Sequence, residues 1–195
     1  SRQRVAYAAQ KIRDSRAKIV MLTGPSASGK TTSAHKVAEA LEASGTPAHV
    51  ISLDNFFKGA QYYPRLPDGT LDYENPDTLD MPLIRQCLSD LSTTGKTVLP
   101  IYDFTTESRS SETETLDLKG GVCIVEGIHA LNDDIAGRHP EAAKLYISAR
   151  SNVNEGSALR FKGTWMRLTR RAVRDYNFRG TGVAETLDMW ANVRR

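Results

Sequence analysis

The sequence predicts a three-layer α/β/α sandwich built on a mostly parallel sheet. Short apolar segments of strand length alternate with segments of helical character along most of the 195 residues. Strands separated by helices are typical of parallel sheets that carry helices on both faces. A glycine-rich segment between the first strand and the next helix is also typical of this fold class. The length suits a sizeable core, so we expect one domain over residues 1–195.

The predicted elements follow one another in a regular order. Apolar runs of strand length occupy 19–23, 48–53, 121–127 and 144–149, and two further strands are predicted at 97–104 and 113–118. Helices are predicted over 4–15, 33–44, 79–91, 165–176 and 183–193, the first of them within an N-terminal segment 1–17. Asp77 is expected to cap the helix over 79–91.

The glycine-rich segment 24–32 reads GPSASGKTT and fits G-x-x-x-x-G-K-[ST], the phosphate-binding P-loop. In such a loop the backbone N–H groups and the positive end of the helix dipole face the phosphates of a nucleotide. Lys30 can reach the outer phosphates, and the Thr31 hydroxyl can ligate Mg²⁺. A chance glycine-rich turn is the alternative, which the flanking strand and helix disfavour. The predicted nucleotide-binding residues here are Gly24, Pro25, Ser26, Ala27, Ser28, Gly29, Lys30, Thr31 and Thr32.

Two acidic residues end predicted strands. Asp54 follows the strand over 48–53, and Glu126 ends the most apolar run of the chain, as in the Walker B pattern. Ligands of open α/β sheets bind beyond the carboxyl ends of the strands, which places both acids beside the P-loop. Glu126 is expected to hold Mg²⁺ directly or through water, and Asp54 to orient an acceptor hydroxyl and take its proton. The alternatives are a turn cap for Asp54 and an incidental strand end for Glu126.

Basic residues gather near the C-terminus. Phosphoryl transfer needs cations around the transferring group, and this cluster can supply them on closure of a lid over about 150–180. Closure would also exclude water, which competes as an acceptor. A solvated helix face or a nucleic-acid patch is the alternative, and no nucleic-acid partner is expected. The arginines concerned are Arg170, Arg171, Arg174 and Arg179, of which Arg171 and Arg174 are the predicted catalytic pair.

A long polar and aromatic loop covers 54–76. Loops of this length without structure of their own are usually functional or disordered. The five aromatic residues in it argue against disorder, so we expect the loop to contribute to the acceptor site.

Other classes of nucleotide-binding protein are disfavoured. The chain lacks the Asn-Lys-x-Asp element of a guanine-specific GTPase, and motors and helicases are normally larger. The two cysteines, Cys87 and Cys123, form neither a disulfide framework nor a metal-ligand spacing, and Cys123 is expected in the core. With no membrane-spanning run or signal peptide, the sequence predicts a cytoplasmic, compact small-molecule kinase without membrane contact.

Several motifs in order resemble those of the uridine kinase family, within the group that includes phosphoribulokinase. They are GPSASGKTT (24–32), SLDNFF (52–57), YENPDTLD (73–80), LPIYDF (99–104) with SR (108–109), VEGIHALN (125–132) and RLTRRAVRDYNFRG (167–180). The last of these, with ETLDMWANVRR (185–195), is most similar to a bacterial branch. That branch joins the kinase-like domain to an N-terminal region resembling part of threonyl-tRNA synthetase. The resemblance implies that the chain is part of a longer protein.

The resemblance also implies roles for individual residues. It implies Mg²⁺-dependent transfer of phosphate from ATP or GTP to the 5′-hydroxyl of a nucleoside, with Asp54 as the activating acid. Glu74 matches a ribose ligand, and Tyr73, Tyr102 and Phe104 match base-contacting aromatics. Arg179 matches a lid arginine near the substrate, and Arg170, Arg171 and Arg174 match lid residues that face the phosphates. Members of the family form oligomers, so a homo-oligomer is an expectation.

Two positions depart from the family pattern. Glu107 stands where uridine-cytidine kinases carry a His, and Phe57 replaces a common Tyr. A carboxylate at position 107 would favour hydrogen-bond donors on the base, such as an exocyclic amine or a ring N–H. Two alternatives therefore stay open: a kinase for another small hydroxylated acceptor, and an inactive nucleotide-binding regulatory module. Tyr73 and Tyr102 could also be core aromatics, and His129 a structural residue.

Overall fold

The computed structural model describes residues 2–25 and 29–147. Within these residues, the main sheet contains the parallel strands β1 (Ile19–Thr23), β2 (Ala48–Ser52), β5 (Val122–Glu126) and β6 (Ala143–Tyr146), in the order β2-β5-β1-β6. β3 (Lys96–Asp103) and β4 (Ser108–Asp117) form a separate antiparallel hairpin. The helices are α1 (Arg2–Ser15), α2 (Lys30–Ala43) and α3 (Met81–Thr93). None of the helices described is both long and apolar enough to cross a membrane.

The main sheet is covered on both faces. Successive residues of a strand point to opposite faces, and in β1 Val20 and Leu22 pack into a core with residues of α1 and α2. Ile19 and Met21 pack on the other face, in a core that includes residues of α3 and the hairpin. This arrangement confirms the predicted three-layer fold. Cys123 is fully buried between the layers, as predicted.

Helix α2 begins at Lys30, earlier than the predicted start at Ser33. Gly29 precedes it with φ 85°, a left-handed conformation that glycine adopts without strain. The amide of Ser33 donates to the Gly29 carbonyl at 2.9 Å, so the residues after Gly29 already form the first helical turn. The Lys-Thr pair of the motif therefore lies at the helix N-terminus, with the strand end of β1 beside it.

The prediction that Asp77 caps the third helix was wrong. The cap is Asp80, whose side chain accepts a hydrogen bond from the Leu83 amide at 3.2 Å. Asp77 lies in a short 3₁₀ turn, Pro76–Thr78, that Asn75 caps instead. Because Leu79 then pairs with Phe57 in an isolated antiparallel bridge, the helix cannot begin there.

The other boundaries differ from prediction for local reasons. β4 is much longer than the predicted 113–118. The prediction followed the alternation of polar and apolar residues, and this alternation is confined to the end of the strand around Leu116. The N-terminal helix begins at Arg2, two residues before the predicted start, and ends at Ser15 as predicted. There the Ser15 hydroxyl donates to the Ile12 carbonyl at 2.7 Å, and Arg16 takes φ 56°. The predicted helices over 165–176 and 183–193 lie outside the described residues.

Candidate active site

A cleft opens beyond the carboxyl ends of β2 and β5 and beside the start of α2. It has about 460 Å³ of empty space, including its solvent-filled mouth. This edge of a parallel sheet is the usual ligand site of open α/β folds. The chemically active side chains that line it are Lys30, Asp54, Tyr73, Glu74, Glu126 and His129.

Lys30 brings a buried cation to the phosphate-binding loop. Its side chain is 3% exposed, and its Nζ donates a hydrogen bond to the Pro25 carbonyl at 3.0 Å, across the loop. The loop and the start of α2 therefore present an ammonium group together with backbone N–H groups, which suits an anion. Gly24, Pro25, Gly29 and Thr32 flank this cation in sequence, whereas Ser26, Ala27 and Ser28 lie outside the described residues.

Thr31 contacts Glu126, which lines the cleft, although 95 residues separate the two. The Thr31 Oγ1 donates to Glu126 Oε1 at 2.8 Å, which brings the first turn of α2 to the end of β5. A hydroxyl and a carboxylate are hard oxygen donors, and Mg²⁺ usually takes only one or two protein ligands alongside phosphates and waters. The pair fits such an ion. No cluster of three or more His, Cys, Asp or Glu suited to a metal occurs among the described residues.

Burial raises the pKa of Glu126, and the nearby charge of Asp54 raises it further. Hydrogen bonds from Thr31 and Ser52 and the charge of Lys30 oppose this shift. A cation placed here would relieve both the desolvation and the repulsion between the two carboxylates. The electrostatics of the site therefore favour a bound cation beside Glu126.

Asp54 lies in the short 3₁₀ turn Leu53–Phe56 that follows β2. Ser52 caps this turn, because its Oγ accepts a hydrogen bond from the Asp54 amide at 3.3 Å. The turn does not depend on the Asp54 side chain as its cap. Asp54 lines the cleft together with Lys30 and Glu126, so the structure brings the three predicted residues together.

An aromatic cluster lies on the side of the cleft that Phe57 and Tyr73 line. Tyr102 packs edge-on against Phe57 and Phe104, with ring centroids 5.4 and 5.1 Å apart. Tyr63, which sequence reasoning did not select, shares a 2.7 Å hydrogen bond with the Tyr102 hydroxyl. Burial raises the pKa of the Tyr63 hydroxyl and keeps it protonated. Tyr73 and Phe57 line the cleft, whereas Tyr102, which is 5% exposed, and Phe104 are not among the lining residues.

Glu107 lies at the turn of the β3–β4 hairpin and contacts the aromatic cluster. Its Oε1 accepts a hydrogen bond from the Tyr73 hydroxyl at 3.2 Å. The Glu107 carbonyl accepts another from the Ala60 amide at 3.0 Å, and the residue takes φ 50°. The hairpin turn is therefore tied to the long loop at Tyr73 and Ala60. Arg170, Arg171, Arg174 and Arg179, predicted for the lid, lie outside the described residues.

His129 and Ser52 are two further residues at the site that the predicted set omitted. His129 Nε2 lies 2.8 Å from the Glu74 carbonyl oxygen, which makes the loop residue Glu74 a neighbour of the β5 end. His129 follows the Walker B strand in the sequence, where it is predicted only as a structural residue. The sequence gives little reason to select Ser52, because a serine before a turn is an ordinary cap. Only its second contact, with Glu126, distinguishes it.

The layered parallel sheet and the phosphate-binding loop at the end of β1 define a P-loop α/β fold. The model of the Phosphoribulokinase / Uridine kinase family matches residues 19–195. The chain belongs to this family.

Individual relatives agree with this assignment. A uridine kinase of Macrococcus caseolyticus (strain JCSC5402) is 31% identical over 182 residues, which cover 93% of this chain and 80% of that protein. A uridine kinase of Schizosaccharomyces pombe is 30% identical over 177 residues, and this chain spans 35% of its length. A crystal structure from Silicibacter sp. TM1040, provisionally described as a fructose transport system kinase, superposes with a TM-score of 0.69. It is 20% identical, with 97% of this chain and 92% of that chain covered, which shows a common fold.

Proposed function

We propose that the chain is a kinase that transfers the γ-phosphate of ATP or GTP to the 5′-hydroxyl of a nucleoside, with Mg²⁺ as the cofactor. The observation that carries the proposal is the meeting of Lys30, Asp54 and the Thr31–Glu126 pair at one cleft. Membership of the Phosphoribulokinase / Uridine kinase family supports the same reaction. The names of the relatives support a nucleoside as the acceptor.

The phosphate donor is held by the P-loop side of the cleft. The loop amides and Lys30 bind the outer phosphates of the nucleotide. Thr31 and Glu126 would hold Mg²⁺, which would supply positive charge to neutralise the phosphates of the nucleotide. The proposal assigns no residue to the choice between adenine and guanine, so it includes both ATP and GTP as donors.

The acceptor is activated from the opposite side by Asp54. Its carboxylate hydrogen-bonds the acceptor hydroxyl and takes the proton as the oxygen attacks the γ-phosphorus. The new P–O bond forms on the acceptor while the bond between the γ-phosphorus and its bridging oxygen breaks, and the nucleoside diphosphate leaves. Arg170, Arg171 and Arg174 are proposed to close over the phosphates, with Arg179 near the acceptor.

Recognition of the acceptor is assigned to the aromatic side of the cleft. Glu74 is proposed to bind the ribose hydroxyls, and Tyr73 to contact the base, with Tyr102 and Phe104 supporting it. Because the Tyr73 hydroxyl already donates to Glu107, the remaining lone pairs of that carboxylate accept from donors on the base. Bases with an amine or ring N–H at the facing edge are therefore preferred.

A second candidate function is phosphorylation of a smaller hydroxylated acceptor. The observation that favours it is the burial of Tyr102, which is hydrogen-bonded to Tyr63, packs edge-on against Phe57 and does not line the cleft. Aromatic side chains that pack on one another leave less open space for a base than side chains that face the cleft. An inactive nucleotide-binding module is a third candidate, which the joint presence of Lys30, Asp54 and Glu126 disfavours.

The setting of the domain is also proposed from the family resemblance. We expect a cytoplasmic enzyme that forms homo-oligomers and belongs to a longer chain with a threonyl-tRNA-synthetase-like region before the kinase domain. Its partners are small molecules, and neither nucleic acid nor membrane is among them. Size-exclusion chromatography with light scattering of the full-length protein tests the oligomeric expectation.

A panel of acceptors tests the proposed reaction. The protein is incubated with Mg²⁺·ATP or Mg²⁺·GTP and with cytidine, uridine, purine nucleosides and simple sugars, and products are identified by mass spectrometry. A nucleoside monophosphate supports the first function, and a phosphate ester of a sugar alone supports the second. Nucleotide binding without any product, also in the full-length protein, would contradict both and support the inactive module.

A further inference from the structure

The segment 127–129, which follows β5, is hydrogen-bonded to the phosphate-binding side of the cleft. The Gly127 amide donates to the Leu22 carbonyl at 3.1 Å, and the Thr23 Oγ1 donates to the Ile128 carbonyl at 3.1 Å. A Cβ at Gly127 would lie 2.9 Å from the Cβ of Leu53, so the segment also packs closely against the turn that carries Asp54. These contacts join the segment to the ends of β1 and β2.

From this fixed segment His129 reaches the acceptor loop. Its Nε2 is 2.8 Å from the backbone carbonyl of Glu74, a contact between residues 55 positions apart. A carbonyl oxygen only accepts hydrogen bonds, so Nε2 carries the proton. Burial lowers the pKa of His129, and the neutral ring is sufficient for this bond. Loss of the Nε2–H group would leave the half-buried Glu74 carbonyl without this hydrogen-bond partner.

The Glu74 carbonyl belongs to the backbone segment that positions the side chains of Tyr73 and Glu74. Tyr73 and Glu74 both line the cleft that contains Asp54 and Lys30. A shift of this backbone would move both side chains relative to the phosphate side. Reaction rates and acceptor affinity are sensitive to displacements of about an ångström between bound groups.

We propose that His129 is a positioning residue. It holds the loop 54–76, at Glu74, against the segment 127–129 on the phosphate-binding side of the cleft. The kinetic part of this inference rests on the proposed function, in which Tyr73 and Glu74 contact the acceptor. The structural part rests on the contact alone. His129 touches neither nucleotide nor acceptor in this proposal and acts through the loop backbone.

Three variants separate positioning from a general loss of stability. His129→Leu removes the donor, His129→Gln keeps an N–H donor at a similar reach, and His35→Leu removes an exposed histidine on α2 as the matched control. We expect His129→Leu to raise the KM for the acceptor about 3- to 10-fold, with the KM for ATP changed less than about twofold. His129→Gln restores most of the acceptor KM, and His35→Leu behaves like the unmodified chain.

Hydrogen–deuterium exchange of the substrate-free protein tests the loop contact without activity. Faster exchange over residues 70–80 in His129→Leu, with exchange in β1 and β5 unchanged, supports the proposal. Unchanged exchange over 70–80, or an equal rise of the KM for acceptor and nucleotide, would overturn it. If the unmodified chain phosphorylates no nucleoside, the proposed function fails, and the exchange result still decides the role of His129. If His129→Leu does not fold, His129→Asn, whose amide is shorter, takes its place.

Discussion

At the scale of single residues, Glu126 is a buried carboxylate whose charge lowers the stability of the folded chain. Glu126 is 3% exposed, and burial followed by the charge of Asp54 raises its pKa above the ordinary 4.5. Its carboxylate therefore binds its proton more tightly in the folded chain than in the unfolded one. From pH 4.5 up to the raised pKa, the folded state holds more protons, so the free energy of unfolding falls as the pH rises.

Glu126→Gln should remove this loss of stability in the nucleotide-free protein. The amide oxygen can still accept from Thr31, but no charge is buried beside Asp54. We expect a higher melting temperature than that of the unmodified chain near pH 7, a weaker decline between pH 4.5 and pH 7, and loss of Mg²⁺-dependent transfer. Thermal denaturation across this pH range measures it. A Gln variant that melts below the unmodified chain at pH 7 would contradict the assigned cost of the charge.

The sequence predicts the site residues that lie within one motif better than those that meet across the chain. Lys30 and Thr31 are predicted by the local P-loop pattern, since neighbouring positions determine their geometry. Tyr63 as a site residue and the contact of His129 with Glu74 are found only in the structure, because the hydrogen-bonded partners lie 39 and 55 residues away. No periodicity in a single sequence encodes a contact of this kind.

At the scale of elements, the turn after β5 depends on a glycine for space. A Cβ at Gly127 would lie 2.9 Å from Leu53 Cβ and 3.0 Å from Leu53 Cδ1. The Cβ of Leu53 cannot rotate away, so the turn that carries Asp54 would have to move. Because the turn that carries Asp54 packs closely against the end of β5, a change in this packing would also move Asp54, the proposed base.

Gly127→Ala should destabilise the fold by about 1–3 kcal/mol through overpacking. Gly137→Ala is the matched control, because a Cβ there would have its nearest contact at an ordinary 3.6 Å, from Asp133. Urea unfolding of both variants measures the difference in the free energy of unfolding. Equal stability of the two variants would show that the turn tolerates the added methyl group.

The boundaries of elements were predictable where apolar periodicity reached them. β1 matches the predicted 19–23, because all five of its residues are buried. β4 extends beyond the predicted segment, because Leu116 is its one buried residue and the preceding Ser, Thr and Glu residues carry no hydrophobic alternation. Asp77 and Asp80 both precede the third helix, and only the Leu79–Phe57 bridge decides between them.

At the scale of the whole molecule, the layered architecture follows from buried strands alternating with amphipathic helices. The strand order β2-β5-β1-β6 is not encoded in that pattern, since periodicity does not name a strand's neighbours. This order places β5 between β1 and β2, and so brings Glu126 between the P-loop and Asp54. The proposed kinase reaction depends on this arrangement.

The most direct test of the proposed reaction is the turnover of Asp54→Asn with Mg²⁺·ATP and the nucleoside that the acceptor panel identifies. Asp77→Asn, which removes the same charge from an exposed position near the acceptor loop, is the control. We predict that kcat falls about 10²- to 10⁴-fold in Asp54→Asn, with nucleotide affinity within a few-fold of the unmodified chain and Asp77→Asn near normal. Near-normal turnover in Asp54→Asn would contradict the assignment of Asp54 as the base.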